Sequence, residues 1–371
     1  MEHAAGQAAP LEQAKPMVLL WEHSTGNHLP QSIVVDSRDA TVLFVASKTG
    51  GLSVLRVSPR QQGSREIANV SPTQLMDLDA MDVTQQGHYL FVALGDLFDN
   101  AGSRAGMAVI DVAQVTAPRV TAVWMSSELL HGTAAIRVVG RTAYLGAMNY
   151  GVIALDVTNP NAVSEIARYL PDINFPRPNP NRVQMPNARG LGVDKDRLYV
   201  AFDAGGLRVI DAANPRKLRE IGRYLNPVLG KKQQAYNNVI VHRNRLYAAV
   251  DYCGLEILDV ADPANIRQIA WWNPWNCQQL KNLWWNSPGH TNQLALDEKT
   301  NTLFLSAGDS EVVAINVARP DQPRCTHIFG RPQNGQGTWG VAAASGVVYL
   351  TYIKTAFPFR GSWSGIRAVR P

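Results

Sequence analysis

One phrase recurs seven times along the chain, and that recurrence leaves few folds open. The copies are GLSVLRV at 51–57, GMAVIDV at 106–112, GVIALDV at 151–157, GLRVIDA at 206–212, GLEILDV at 254–260, EVVAINV at 311–317 and GIRAVRP at 365–371, and their starts lie 45 to 57 residues apart. A spacing of this size marks a repeat architecture. Within each copy apolar residues alternate, as Leu207 and Val209 or Leu255 and Ile257 do. A period of two belongs to a strand half-buried on a pleated sheet, not to a helix.

Each copy sits in a longer unit with one grammar. In the fourth unit, RGLGVD at 189–194 and RLYVAF at 197–202 read as two strands. Asp203-Ala204-Gly205 then turns into the phrase, Asn214-Pro215 breaks it, and LREIGRY at 218–224 reads as a fourth strand. The fifth unit repeats this with NVIVH, RLYAAV, GLEILDV and IRQIAWW, broken at Asp262-Pro263. Turns carry Gly, Pro, Asn and Asp, and no stretch holds helical periodicity over three turns. Four antiparallel strands per unit, repeated radially, predict an all-β, seven-bladed β-propeller. An open solenoid is the competing architecture. The termini favour closure: the last phrase ends at Pro371, one strand short, and MVLLWEH at 17–23 has the character of the missing outer strand. Pairing it with 365–370 would remove two exposed sheet edges. The expected division is a flexible N-terminal segment at 1–16 and a single propeller domain at 17–371.

The phrases VIDV, VIDA, ALDV and ILDV, followed by x-x-Pro, resemble those of the LVIVD-repeat family of bacterial β-propellers. The likeness spans 17–371 and is clearest at 151–169, 197–224 and 245–272. Arg56, Asn316 and Arg370 depart from it in place of the phrase Asp, and Glu311 in place of the Gly. The resemblance implies a propeller of the kind exported to, or displayed on, the bacterial surface. It implies no reaction and carries no catalytic residues to this chain.

Composition narrows the partners. With 46% hydrophobic and 18% charged residues the chain is built to bury a core. No run of about 18 apolar residues exists, so no membrane span is expected. Residues 1–16 lack the apolar centre of a signal peptide. Either the protein stays inside, or its numbering begins after a removed leader. The resemblance favours a secreted, periplasmic or cell-surface location. The net charge of +5 is scattered along the chain, whereas nucleic-acid binding concentrates positive charge on a patch, so no nucleic acid is expected. Cys253, Cys277 and Cys325 form no C-x-x-C. The repeat grammar puts Cys253 and Cys277 on one face, which leaves both a disulfide and a pair of thiols open.

In a four-stranded blade, the link from outer strand to next inner strand shares a face with the link between second and third strands. The long segments 96–105, 171–188, 226–236, 273–289 and 354–364 all belong to that face, where function usually resides. They are rich in aromatics: Trp272, Trp275, Trp284 and Trp285 cluster, with Tyr236, Trp339, Phe357, Phe359 and Trp363 elsewhere on the face. Such rings stack on flat ligands such as sugars, or anchor loops by burial. His28 and His131 precede the first core aliphatics Ile33 and Ile136 by five residues, and His290 precedes Leu294 by four. Residues just before inner strands converge on the channel mouth, where imidazoles can hold a transition metal or move protons. Asp96, Asp203, Asp251 and Asp309 read as turn caps, as do the phrase residues Asp111, Asp156, Asp211 and Asp259. There is no G-x-S-x-G, H-E-x-x-H, P-loop or EF-hand loop.

Two classes of function follow. The leading one is an exported propeller without defined catalysis that binds a small molecule, glycan or protein on its long-loop face. His28, Asn237, Trp284, Trp285, Trp339 and Trp363 would line that site. The alternative is a channel-mouth enzyme: metal-dependent through His28, His131 and His290, or a His/Tyr acid–base lyase or hydrolase on a sugar-like substrate. There His131 and His290 would serve as bases or ligands, Arg189 as an anion clamp and Tyr236 as proton donor.

Overall fold

Seven antiparallel sheets follow one another along the chain, and each contains one copy of the phrase as its third strand. The computed structural model describes residues 11–58, 60, 62–96, 104–128, 132–176, 186–230, 236–275, 277, 289–308, 310–331, 334–356 and 360–371. Blade four shows the pattern: Gly190–Asp194, Arg197–Ala201, Leu207–Asp211 and Arg219–Tyr224, hydrogen-bonded in that order. The only helices among the described residues are short 3-10 turns. The protein is thus a seven-bladed β-propeller, as the repeat predicts.

Closure takes the expected form. Val18–Ser24 pairs antiparallel with Gly365–Arg370 and becomes the outer strand of blade seven. Of the 1–16 segment, the described part lies against blade six. Leu11–Gln13 forms a 3-10 turn, and Lys15–Pro16 pairs in parallel with His327 and Ile328 of that blade's outer strand. The chain therefore crosses the junction of blades six and seven before it closes the ring.

The core lies between blades. Alternation along each strand sends side chains to both faces of its sheet, so every blade packs on two neighbours. Phe44, Val54 and Leu90 lie in a cluster shared by blades one and two. Trp21, Ile33, Leu43, Tyr349 and Ile366 join blade seven to blade one across the closure. Comparable clusters fill the other junctions. Each fully buried aliphatic contributes roughly 1.5–3 kcal/mol of transfer free energy.

The first residue of the phrase has a steric reason to be Gly. At Gly206 φ is +81°, and an added Cβ would stand 2.4 Å from the Tyr224 carbonyl oxygen; at Gly254 the values are +76° and 2.1 Å from Trp272 O. The outer strand's last carbonyl presses on that position in both blades. Glu311 takes the same place in blade six at φ 56°. Its side chain has room because an opposing position is Gly330, where a Cβ would meet the Glu311 carboxyl at 2.3 Å. The phrase aspartates cap their turns as expected. Asp111, Asp156, Asp211 and Asp259 accept from the amides of Ala113, Thr158, Ala213 and Ala261 at 2.9–3.1 Å, and Asn316 does the same from Ala318 at 3.0 Å.

Candidate functional site at the channel mouth

The turns between second and third strands touch the starts of the next inner strands. Isolated bridges join Lys48 to Ala80, Met148 to Ala188, Asp203 to Tyr236 and Gly308 to Thr338. The two kinds of link therefore share a face, and they bring blades five, six and seven together around His290. That imidazole is 1% exposed. Its Nε2 lies 3.1 Å from Asp251 Oδ1, and its Nδ1 lies 3.1 Å from Asn292 Nδ2. With the Asn292 amide donating to Nδ1, Nε2 carries the proton and donates to Asp251. Asn237 Nδ2 also donates to Asp251 Oδ1, at 3.3 Å, and to the Thr291 carbonyl at 2.7 Å. Trp339 of blade seven stacks on the imidazole at 5.9 Å, and Tyr252 meets it edge-on at 4.9 Å.

Three of the sequence-predicted residues thus meet: Asn237, His290 and Trp339. The aspartate that joins them was read from sequence as a turn cap. Asp251 accepts hydrogen bonds from two side chains, His290 across the junction of blades five and six and Asn237 within blade five. A D-Y-C-G turn looks like any Asx turn in a sequence, and only the ring geometry places His290 opposite it. The Asp96 carboxylate pairs with Lys48 Nζ at 3.1 Å. Lys48 also reaches Asp79 at 3.5 Å. Burial pushes the Asp79 carboxyl up, partly offset by Lys48.

Other candidates are placed elsewhere. Tyr236 precedes Asn237 at a β-bulge in the strand, and its side chain has different partners. Its hydroxyl donates to Glu256 Oε2 at 2.6 Å and accepts from the Asn226 amide at 3.2 Å. Glu256, fully buried, also accepts from Tyr224, Asn226 and Gln268, and burial raises its carboxyl pKa. Tyr236 is thereby committed to a network between blades four and five, apart from His290. Arg189 is half-buried at the start of blade four, its backbone amide bonded to Ala201 O. His28 is exposed in a turn that bonds back to Thr25, and its ring lies over Gly50. Trp363 packs on Arg367, whose guanidinium carbon is 5.0 Å from the ring centroid, and on Tyr352. His131, Trp284 and Trp285, with Asp309, Phe357 and Phe359, lie outside the described residues. Among the described residues, no three His, Cys, Asp or Glu side chains are grouped to hold a metal ion.

Cys253 and Cys277 are joined by a disulfide with Cα atoms 5.2 Å apart, while Cys325 is a buried thiol. The bond ties the turn beside Tyr252 to the loop that leaves blade five. Among the described aromatics of this region, Trp339 is 5% and Trp272 1% exposed. Four exposed apolar side chains lie elsewhere on the same face. Met76, Met125, Leu170 and Val228 are 37–57% exposed at four successive outer-to-inner links, from blade one to blade five. The sequence reading missed this arc because single aliphatics in loops carry no pattern.

Residues 187–226, which span blade four, match the family described as the LVIVD repeat. No curated protein matches the sequence. Among solved structures the chain is similar in fold to the RRP9 WD40 repeats, at 10% identity and TM-score 0.62, covering 98% of this chain and 99% of that one. It is similar to a chain of the mitotic checkpoint complex at 10% identity and TM-score 0.63, covering 100% and 97%. The β-propeller domain of Cps50 (Swd1) from Myceliophteria thermophila gives 10% identity and TM-score 0.62, covering 96% and 100%. No helix among the described residues is long and apolar enough to cross a membrane.

Proposed function

We propose that this LVIVD-repeat propeller is an exported, non-catalytic interaction module that takes a protein partner on its long-loop face. The observation that carries the reading is the arc of Met76, Met125, Leu170 and Val228. Isolated exposed aliphatics are ordinary, but apolar side chains gathered on one face mark contact surfaces. Among the described residues, four of the seven exposed large hydrophobics fall on this arc, and the other three, Val18, Leu19 and Val139, do not. A glycan platform would need open aromatic faces, whereas Trp339 and Trp272 are buried. The Cys253–Cys277 disulfide supports maturation in an oxidising compartment, since such bonds persist outside the reducing cytosol. His290 and Asp251 are paired with each other beneath Trp339, which suits a structural role better than catalysis.

The test is a triple substitution, Met76→Glu, Leu170→Glu and Val228→Glu. It should keep the melting temperature within a few degrees and abolish the mass increase that chemical cross-linking produces on the protein in its native cells. Retention of that adduct by a folded triple variant would refute the reading.

A further inference from the structure

We propose that Arg137 makes the central channel a binding site for a small carboxylate-bearing ligand. The inner strands enclose two cavities, of about 520 and about 440 Å³, and Thr84 and Arg137 line both of them. Each volume is that of an ordinary small-molecule site. Arg137 therefore stands where the two meet, along the axis of the ring.

The charges around the channel are not equally available. Asp82 is already saturated: Oδ1 accepts from Ser32 Oγ at 2.6 Å and from the Val83 amide at 2.9 Å. Its Oδ2 accepts from the Ile136 amide at 3.0 Å and from Arg137 Nη1 at 3.1 Å. Asp36 is held by Arg38 through two nitrogens, at 3.0 and 2.8 Å, and by Gln85. Both carboxylates of the larger cavity are thus satisfied by the protein. Arg137 is not. Its Nη1 uses its hydrogens on Asp82 and on the Ile136 carbonyl at 2.6 Å. The Nε–H and both Nη2–H have no partner among the described residues, on a side chain 31% exposed.

That leftover edge has a shape. Nε–H and one Nη2–H point in parallel, the fork that receives the two oxygens of a carboxylate. Asp82 fixes the guanidinium from its other side, so little ordering is required when a ligand arrives. The second cavity adds Asp194 and Lys195, one charge of each sign. In the larger cavity, where both carboxylates are engaged, the spare charged hydrogen-bonding capacity is consequently that of the Arg137 donors. This site lies inside the ring and does not depend on the long-loop face.

Calorimetric titration at constant ionic strength tests it, with sodium acetate, inorganic phosphate and methylammonium chloride as probes. Acetate should bind saturably and more tightly than phosphate, and methylammonium should give no saturable heat. Arg137→Gln should weaken acetate at least about tenfold, and Arg137→Lys, which keeps the charge and loses the fork, should weaken it several-fold. Lack of saturable acetate binding, preference for phosphate or methylammonium, or unchanged affinity in Arg137→Lys would each overturn the proposal. The lysine variant decides the matter should Arg137→Gln fail to fold.

Discussion

His290 Nε2 lies 3.1 Å from Asp251 Oδ1 across the junction of blades five and six, and both residues are buried. With Trp339 stacked on the imidazole from blade seven, the pair ties three blades together. His290→Ala removes a donor from a buried carboxylate and should cost about 1–3 kcal/mol. Urea unfolding measures it. A midpoint equal to that of the parent protein would show that the pair does not hold the junction.

The fold was legible because its signal repeats: seven copies of one phrase, a period of two, and a strand missing at one end with a candidate at the other. The turn role of Asp111, Asp156 and Asp211 was legible too, because an Asx turn is local. The site was legible only in part, through Asn237, His290 and Trp339 at the starts of inner strands, because its contacts join residues far apart in sequence. Asp251 and His290 are brought together by the ring alone, and Tyr236 and Asn237, at a β-bulge, go to different partners, Glu256 and Asp251. Arg137 carries no motif, and its spare donors emerge only once the partners of Asp82 are counted.

The N-terminal strand should hold the ring closed. Removing residues 1–24 takes Trp21 out of the junction of blades seven and one and leaves Gly365–Arg370 as an open edge. Loss of a buried Trp alone costs about 3–5 kcal/mol. Removal of residues 1–14 spares both Lys15–Pro16 and Val18–Ser24 and should cost little. Equal melting temperatures for the two truncations would contradict closure by this strand.

The disulfide spans a separation of 24 residues. Loop entropy then gives it roughly 3 kcal/mol. Cys277→Ser should lower stability by about that amount, and the untreated protein should be lighter by two hydrogens than the reduced one on intact-mass measurement. Identical masses with and without reductant would rule the bond out.

Acid should loosen the turns. The Ala113 amide holds Asp111 below the usual carboxylate range, and hydrogen bonds from the Thr158 side chain and amide do the same for Asp156. A lowered folded pKa adds stability above the unfolded value, near about 3.9 for Asp, and that contribution fades as pH falls through the folded one. Both side chains are only partly exposed, at 19% and 35%, but they lie at the surface in contact with solvent, so each effect is small. Asp111→Asn with Asp156→Asn keeps the cap, as Asn316 does naturally, and should flatten the loss of stability below about pH 4. An acid limb as steep as the parent's would exclude these two turns as its source.

The most direct test of the interaction surface is site-specific photocross-linking in the native cells. A photoreactive residue is placed in turn at Met76, Leu170 and Val228 on the arc, and at Val139 and Val18 away from it. A discrete protein adduct from the three arc positions, absent from the other two, is the predicted result. Adducts confined to Val139 or Val18, or no adduct from any arc position, would contradict the account.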